Sequence, residues 1–410
     1  MFGGSIINIG VGEKGKIKSN YITELLKSKD IILHQMNENE SEIELHISQE
    51  QKPHKCPKCG NITSKVHDYH TQKVKDVPIM GKKTYLIIRK RRYVCKACGK
   101  KFFEHISFLG KSQRMTNRLA AYIISQLGSL TSMKEIAKHT NVSVTTVMRL
   151  FDKVNPGQTL DEFSSEAICV DEFKGNAGGA KYQCIIVDPV KGQIIEILRD
   201  RKQNILIEYF KRLKGRDKVK YFICDMWRPF VEVAKTYFKN AKIVIDKFHF
   251  TRYVYWALEN VRKRVQKELG SNLRKYFKRS RKLLLKSYEE LEPEQREELE
   301  VMFFCSQDLR KAHQLKEEFK RVLKSSNSEE AKLKLKKWIE KAEQSGLSEF
   351  MRCVKVFRSW FSEIVNAFDV PYTNSMTEGF NNKIKVLKRN GFGYRNFERF
   401  RKRILYSCGR

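Results

Sequence analysis

Two cysteine pairs and three carboxylates are the residues of this sequence whose types and spacing can do chemistry. Cys56 and Cys59 flank Pro57–Lys58 and precede Gly60, and Cys95 and Cys98 flank Lys96–Ala97 and precede Gly99. In each pair two residues separate the thiols, and the glycine lets the backbone fold its amides toward sulfur. Four thiolates suit a closed, tetrahedral, structural Zn²⁺. A redox CxxC needs one pair, so the doubling points to metal. Between Cys59 and Cys95 lie 35 residues, room for an extended hairpin. His54, His67, His70 and His105 lie nearby, but four thiolates complete the coordination, which leaves the imidazoles to the surface or to nucleic acid. The other cysteines, such as Cys184 and Cys224, sit singly in apolar contexts and form no disulfide framework.

Asp171 follows the apolar run Ala167–Ile168–Cys169–Val170, and Asp225 follows Tyr221–Phe222–Ile223–Cys224. If the two runs are parallel neighbours, their carboxyl ends meet where α/β sheets place ligand sites. Two carboxylates buried together repel unless cations neutralise them. Hard oxygen donors in a chain that binds a polyanion suit Mg²⁺ or Mn²⁺, held by few carboxylates and by substrate phosphate. Taken singly, each Asp equally suits a strand-end turn or a helix cap. Glu378 is the third carboxylate, in TNSMTEGFNNKIKVLKRNGFGYRNFERFRKRIL. Ser375–Met–Thr–Glu378 also reads as a capping box, in which Glu378 caps its own helix. Beyond it, Met376, Phe380, Ile384 and Leu387 form an apolar stripe, while Glu378, Asn382, Lys385 and Arg389 form a separate polar one. A carboxylate leading a row of amide and basic groups suits a metal ion with a DNA backbone running past it. Asp246, in IVIDKFHF, reads either as an auxiliary acid or as a structural strand-end residue.

The elements that must position these groups follow from composition and pattern. The chain has 410 residues, enough for two to four domains. Lys and Arg total 81 against 47 Asp and Glu, a net charge of +34. Such a field attracts DNA or RNA through counterion release, although a generally basic, ribosome-associated protein shares the signature. Residues 379–410 alone carry 10 Lys and Arg against one acid, interleaved with Phe392, Tyr394, Phe397 and Phe400. No apolar run approaches the ~20 residues of a membrane span. The opening MFGGSIINIGVGEKGK puts its lysines after the apolar stretch, the wrong order for an export signal. A protein that is neither exported nor in contact with a membrane is expected.

Ile43–Glu44–Leu45–His46–Ile47 alternates as a strand, and KTYLIIRKRRYVC reads as a strand between the cysteine pairs. Ser132–Met–Lys–Glu135 starts a helix as a capping box. Counted from Met133, the residues Ile136, Ala137, Val142, Val147 and Leu150 fall at the apolar contact positions of a helix-turn-helix. Asn141 stands at the turn, and Ser143 caps VTTVMRLFDK. An ordinary helical hairpin is the alternative. From about 167, AICVDEF, KYQCIIVD and QIIEILRD read as three strands, followed by helix, strand VKYFICD, helix and strand AKIVID. That order suggests an α/β sheet with a mixed edge. From His249 to Phe368 the pattern is helical, with a break at Leu291–Glu292–Pro293; Pro371–Tyr372–Thr373–Asn374 is a turn before a last helix and basic tail. The expected segments are 1–50, a zinc ribbon at 51–110, a helix-turn-helix at 111–160, an α/β domain at 161–248, a helical region at 249–370 and a C-terminal helix and tail at 371–410.

Four blocks in this order, CPKCG…CKACGKKF, ICVDEFKGN…KYQCIIVD, FICDMW…AKIVIDKFHF and NSMTEGFNNKIKVLKR…GYRNFERFRKRIL, resemble insertion-sequence transposases of the ISL-three family over residues 40–405. The resemblance implies an RNase H-like mixed α/β catalytic domain interrupted by an all-helical insertion, with a DDE triad that maps onto Asp171, Asp225 and Glu378. The 152 residues between the last two leave room for that insertion. It further implies two Mg²⁺ or Mn²⁺ ions at the triad beside the one structural Zn²⁺, and partners in double-stranded DNA as terminal inverted repeats and target. A homodimer or larger synaptic complex would pair two ends. Ser143, Thr145, Thr146 and Arg149 would then meet DNA from the second helix, and Asn382, Lys385 and Arg389 would hold its backbone. The rival readings are a non-catalytic DNA-binding regulator on a transposase scaffold and an RNA-directed nuclease of the same fold.

Overall fold

The structure, a computed structural model, describes residues 30–155, 162–270, 273–274, 277 and 280–409. The first 29 residues of the N-terminal segment, and the junction expected at 160/161, lie outside the described residues. The chain divides into two compact units, Met1–Asn155 and Pro156–Arg410.

The first unit is built on β1 (Ile31–Glu38), β2 (Glu42–Gln49), β3 (His54–Lys55), β4 (Ile62–Thr63), β5 (Val66–Ile79), β6 (Lys82–Val94) and β7 (Lys101–Phe103). Alternation turns Ile43, Leu45 and Ile47 of β2 inward, where they join Val74, Leu86, Ile88 and Phe108 in one core. The long linker between the cysteine pairs is the β5–β6 hairpin. Met80 and Gly81 close it, both at positive φ, as a twist-matched two-residue turn requires. Helices α1 (Asn117–Gln126), α2 (Met133–His139) and α3 (Val144–Asp152) follow. Asp76, on β5 and 2% exposed, accepts from Thr116 Oγ1 at 2.6 Å and from Arg118 Nε at 2.7 Å. Lys75 donates to the Asn141 carbonyl, and Asn141 Nδ2 donates to the Tyr85 hydroxyl at 2.7 Å. These bonds lock the helices onto the hairpin.

The second unit opens with β8 (Ala167–Phe173), β9 (Gln183–Asp188), β10 (Gln193–Leu198), α4 (Gln203–Arg212), β11 (Tyr221–Cys224), α5 (Arg228–Tyr237) and β12 (Lys242–Ile245). The sheet order is β10–β9–β8–β11–β12. The first three strands are antiparallel, and β11 runs parallel to both β8 and β12, giving the mixed sheet expected from the sequence. Its strands are buried almost throughout, which is why they read as continuous apolar runs. Phe210 on α4, Phe222 on β11 and Phe238 after α5 pack edge to face, with Phe210 and Phe238 centroids 5.1 Å apart.

A helical region then runs through α6 (Lys247–Glu268), α7 (Arg281–Leu285), α8 (Pro293–Cys305), α9 (Gln307–Leu323), α10 (Ser328–Gln344), α11 (Ser348–Ser359) and α12 (Phe361–Val365), before α13 (Ser375–Asn390) and α14 (Phe397–Cys408). Phe250, Phe319, Trp338 and Phe357 form its aromatic centre, and Trp338 Nε1 donates to the Leu315 carbonyl at 2.8 Å. The break at Leu291–Glu292–Pro293 is the start of α8, with Glu292 as cap and Pro293 in the first turn. The basic tail is itself a helix. Gly391–Phe392–Gly393 turns the chain, and Phe397, Phe400 and Ile404 of α14 are buried, as is Arg403, while Arg401 pairs with Glu196 of β10. Part of the tail's charge is therefore structural. Among the described residues no helix is long and apolar enough to cross a membrane.

His313 on α9 is 3% exposed, packs against Phe303 at 5.1 Å and lies 3.8 Å from Glu317. Burial, reinforced by the Lys316 charge, pushes its imidazole down to about 3. Below its ordinary range of ~6.5 the unfolded chain takes up a proton that the folded chain refuses, so stability is lost as pH falls from there. Denaturant unfolding of His313→Phe should therefore lose about 1.6 kcal/mol less than the parent between pH 6.5 and 5, the slope rising toward ~1.4 kcal/mol per pH unit as the unfolded imidazole becomes fully protonated.

Candidate active site and metal centre

In the first unit the four sulfurs of Cys56, Cys59, Cys95 and Cys98 lie within 4.8 Å of one another. Cys56 and Cys98 approach to 3.6 Å and Cys59 and Cys95 to 3.5 Å, too far for disulfides and suited to a shared tetrahedral ion. The amide of Gly60 donates to the Cys56 carbonyl and that of Gly99 to the Cys95 carbonyl, with both glycines in the left-handed region. That turn aims amides at sulfur. Backbone amides at Cys59 and Lys58 hold Cys56 down to about 6 and amides at Cys98 and Ala97 lower Cys95, whereas at Cys59 the lowering by the Asn61 amide is outweighed by the crowded Cys98 and Cys95 sulfurs, which push that thiol up. Lowered thiols supply the thiolates that bind metal. Of the nearby imidazoles, His54 is half-buried against Tyr93, with ring centroids 4.7 Å apart, and burial lowers its pKa.

The helix pair α2–α3 has the expected turn. Asn141 adopts φ +54°, and Ile136, Ala137 and Val147 are buried, with Val142 and Leu150 half-buried. Ser132 caps α2 by accepting from Glu135 N, but Glu135 does not close a reciprocal box; its carboxylate turns to His139 at 2.7 Å. Ser143 Oγ accepts from Thr146 N at 3.1 Å and lies 2.9 Å from Thr146 Oγ1, so those two side chains shape the start of α3. Thr145 and Arg149, one turn apart, are its exposed face.

The carboxylates of the second unit meet through strand register. Val170 pairs with Cys224 and Cys224 with Ile245, so the next residues, Asp171, Asp225 and Asp246, stand side by side at the ends of the parallel pairing. Asp171 does not end its strand, as the apolar run suggests. β8 continues to Phe173 through its pairing with β9, and only the β11 side stops before Asp171. Asp171, Asp225, Asp246 and Glu378 all line one cavity of about 360 Å³. Asp171 is 7% exposed. Burial, with the Asp225 charge beside it, pushes Asp171 up to about 8. An oxygen-only donor set in which the buried Asp171 resists ionisation until positive charge arrives fits a hard divalent cation. The Asp171, Asp225 and Glu378 oxygens do not close on one another as the four sulfurs do.

Glu378 is not a cap. The cap position of α13 falls on Asn374, Ser375 is already helical and bonds Thr373, and Glu378 lies a residue too far along to complete a box. Phe380, Ile384 and Leu387 are buried as expected, whereas Met376 is 39% exposed. Glu378, Asn382, Lys385 and Arg389 are all exposed along one face, with Lys385 Nζ 3.2 Å from Asn382 Oδ1.

Sequence reasoning missed the polar groups behind these acids. Asn374, Thr377 and Asn381 recur at helical spacing and are buried. Asn381 Nδ2 donates to Asp171 Oδ2 at 2.9 Å, and Asn374 Nδ2 reaches the same oxygen at 3.4 Å. Asp246 is a tie: its Oδ1 accepts from Phe248 N at 2.7 Å and its Oδ2 from Asn374 N at 3.0 Å. It joins the end of β12 to the starts of α6 and α13. His249 Nε2 lies 2.8 Å from Asp225 Oδ1, and Arg201, stacked on Trp227, pairs with Glu172. A polar residue three places after Asp246, and buried amides in phase with Phe380 and Ile384, were the available signals.

Comparison with known proteins gives matches across these parts. Residues 168–404 match a family model described as a transposase, of the DDE class of the ISL3 group. Residues 52–98 match a zinc-finger of transposase IS204/IS1001/IS1096/IS1165, and residues 104–155 a helix-turn-helix domain of transposase family ISL3. The chain is 29% identical over 353 residues to the transposase for insertion sequence element IS1001 of Bordetella parapertussis, covering 84% of this chain and 86% of that one. A shorter stretch of 60 residues is 38% identical to an ATP-dependent protease of Lactococcus lactis, covering 15% of this chain and 19% of that protein.

Two outcomes follow from the geometry. Stripping metal with a strong chelator, or Cys95→Ser, should melt the cysteine module while the far-UV spectrum of the second unit persists, since thiolate–metal bonds are folding free energy for such modules. Asn381→Ala should weaken Mn²⁺ binding at the carboxylate cavity about 10- to 100-fold, the usual cost of losing a group that orients a ligand, read by the free-ion EPR signal.

Proposed function

Because the chain belongs to the ISL3 family of transposases, we propose that Asp171, Asp225 and Glu378 are its catalytic carboxylates, which hold two Mg²⁺ or Mn²⁺ ions, and that the four cysteines hold one structural Zn²⁺. A DDE transposase cuts DNA phosphodiester bonds and transfers the strands, and DNA binding belongs to the family's helix-turn-helix. The observation that carries the assignment is the register that ends β8 and β11 pairing just before Asp171 and Asp225, in a cavity that Glu378 also lines.

Divalent cations, when bound there, supply the positive charge that activates a water and stabilises a leaving 3′ oxygen. The protein's part is placement. Asn381, Asn374 and the Glu172 amide fix Asp171, and His249 sits against Asp225. Glu378 enters from a helix, exposed, so its carboxylate remains accessible to the reacting phosphate. Asn382, Lys385 and Arg389 continue the same face and suit a phosphate backbone. In the first unit Thr145 and Arg149 of α3 are the residues presented to base edges of terminal inverted repeats, with Ser143 and Thr146 setting the helix start. Pairing two ends requires a homodimer or larger assembly. Action on chromosomal DNA places the protein in the cytoplasm.

The test is incubation of the purified protein with Mg²⁺ and a DNA fragment carrying its gene's own flanking ends, mapping any 3′-OH breaks. Breaks at those ends are expected. Asp225→Asn and Glu378→Gln should each lower cleavage by two to three orders of magnitude, roughly the scale of losing one transition-state anchor, with DNA binding intact. Retained cleavage in either variant overturns the triad. Binding without breaks in Mg²⁺ and Mn²⁺ favours a regulator on the same scaffold.

A further inference from the structure

Helix α6 leaves the cavity with two faces of opposite character. Phe250, Val254, Ala257, Leu258 and Val261 are buried and account for its packing. On another face, at i, i+4 and i+8, stand Phe248, Arg252 and Trp256. Phe248 is 60% exposed and Trp256 47%, although both are large aromatics that a packing role would bury. The stripe starts inside the carboxylate cavity, which Phe248 and Arg252 line.

The stripe is also built. The Arg252 guanidinium lies between the rings, 4.5 Å from the Trp256 centroid and 5.8 Å from that of Phe248. Tyr253 braces Trp256 edge-on at 5.4 Å. From Lys247 to Leu258 the helix itself carries no acid, and the carboxylates gather only at its cavity end. It extends about 12 Å at the helical rise, several times the ~3.4 Å advance of a nucleotide strand.

Paired DNA offers such a surface little, because its bases face each other and its exterior is phosphate. An unpaired base offers a π-face, and aromatic rings flanked by cations are how proteins hold single strands without reading sequence. We propose that Phe248, Arg252 and Trp256 stack the unpaired bases of the DNA strand whose phosphate enters the carboxylate cavity, so that the substrate is held with its end frayed. This rests on the reading that DNA crosses that cavity. Opening the duplex beside the cut gives the buried Asp171 side of the cavity access to a backbone that pairing would hold outside.

Binding of the full chain, with Ca²⁺ in place of Mg²⁺ or Mn²⁺ and no chelator, so that no strand is cut and the cysteine module keeps its metal, distinguishes the possibilities. The probes are a duplex of the gene's flanking ends and the same duplex with its terminal bases mismatched into a fork, with fluorescent aminopurine in one unpaired arm. The parent should bind the fork about tenfold more tightly than the paired duplex and quench the aminopurine. Trp256→Leu and the Phe248→Leu/Trp256→Leu double variant should bring that ratio toward one, while Trp256→Phe keeps most of it. Leucine keeps apolar bulk and removes the π-face, and both positions are exposed, so melting temperatures should stay near the parent's. Equal affinity of the parent for both probes, or a ratio unmoved in the double variant, overturns the stacking site; if cleavage in Mg²⁺ persists, the catalytic reading stands. Failure to bind either probe removes both.

Discussion

The carboxylate cavity of the second unit depends on one register. Parallel pairing of β8, β11 and β12 aligns Val170, Cys224 and Ile245, and the next residue on each strand is an aspartate. Neighbouring strands lie ~4.8 Å apart, so three carboxylates stand in a row at one edge of a buried sheet. A slip of one residue would move each side chain of a strand to the opposite buried face and set the acids out of line. The apolar character of these strands is thus also what fixes the site. The three acids are then treated differently. Asp246 spends both oxygens on backbone amides, whereas Asp171 is left partly desolvated beside Asp225.

Asp246 solves a problem that the chain order creates. Glu378 follows Asp225 only after the helical region, and its helix must return to the sheet edge. The bond from Asn374 N to Asp246 pins the start of α13 there, and the Asn374 and Asn381 amides of that helix donate to Asp171. The helix that delivers the third acid therefore also orients the first. The α13 face divides accordingly, with buried amides behind the site and exposed Glu378, Asn382, Lys385 and Arg389 in front.

The first unit follows a more local logic. Each cysteine pair builds its own turn, and the β5–β6 hairpin brings the two together. The same hairpin carries Asp76 and Lys75, which hold the helix pair, so one element organises both metal and DNA-binding parts. High positive charge is spent unevenly. Arg401 and Arg403 lie inside the fold, while Arg149, Lys385 and Arg389 face outward.

The sequence by itself determined what depends on neighbours along the chain. The cysteine knuckles, the helix-turn-helix with Asn141 at its turn, the individual strands of the sheet and the polar stripe of α13 are written in spacings of two to four residues, where backbone geometry fixes which side chains share a face. The blocks around Asp171, Asp225 and Glu378 also resembled a known family, to which the chain belongs. Only the tertiary structure decided how Ser375–Met–Thr–Glu378 is used, because one residue's difference in where a helix begins turns a cap into an exposed carboxylate. It alone tied Asp246 to the start of α13, brought Asn381 to Asp171 across more than two hundred residues, and made the basic tail a helix with one buried face. The reason is the same in each case. A carboxylate's role is set by which donors and charges lie within a few ångströms, and those neighbours are distant in the chain.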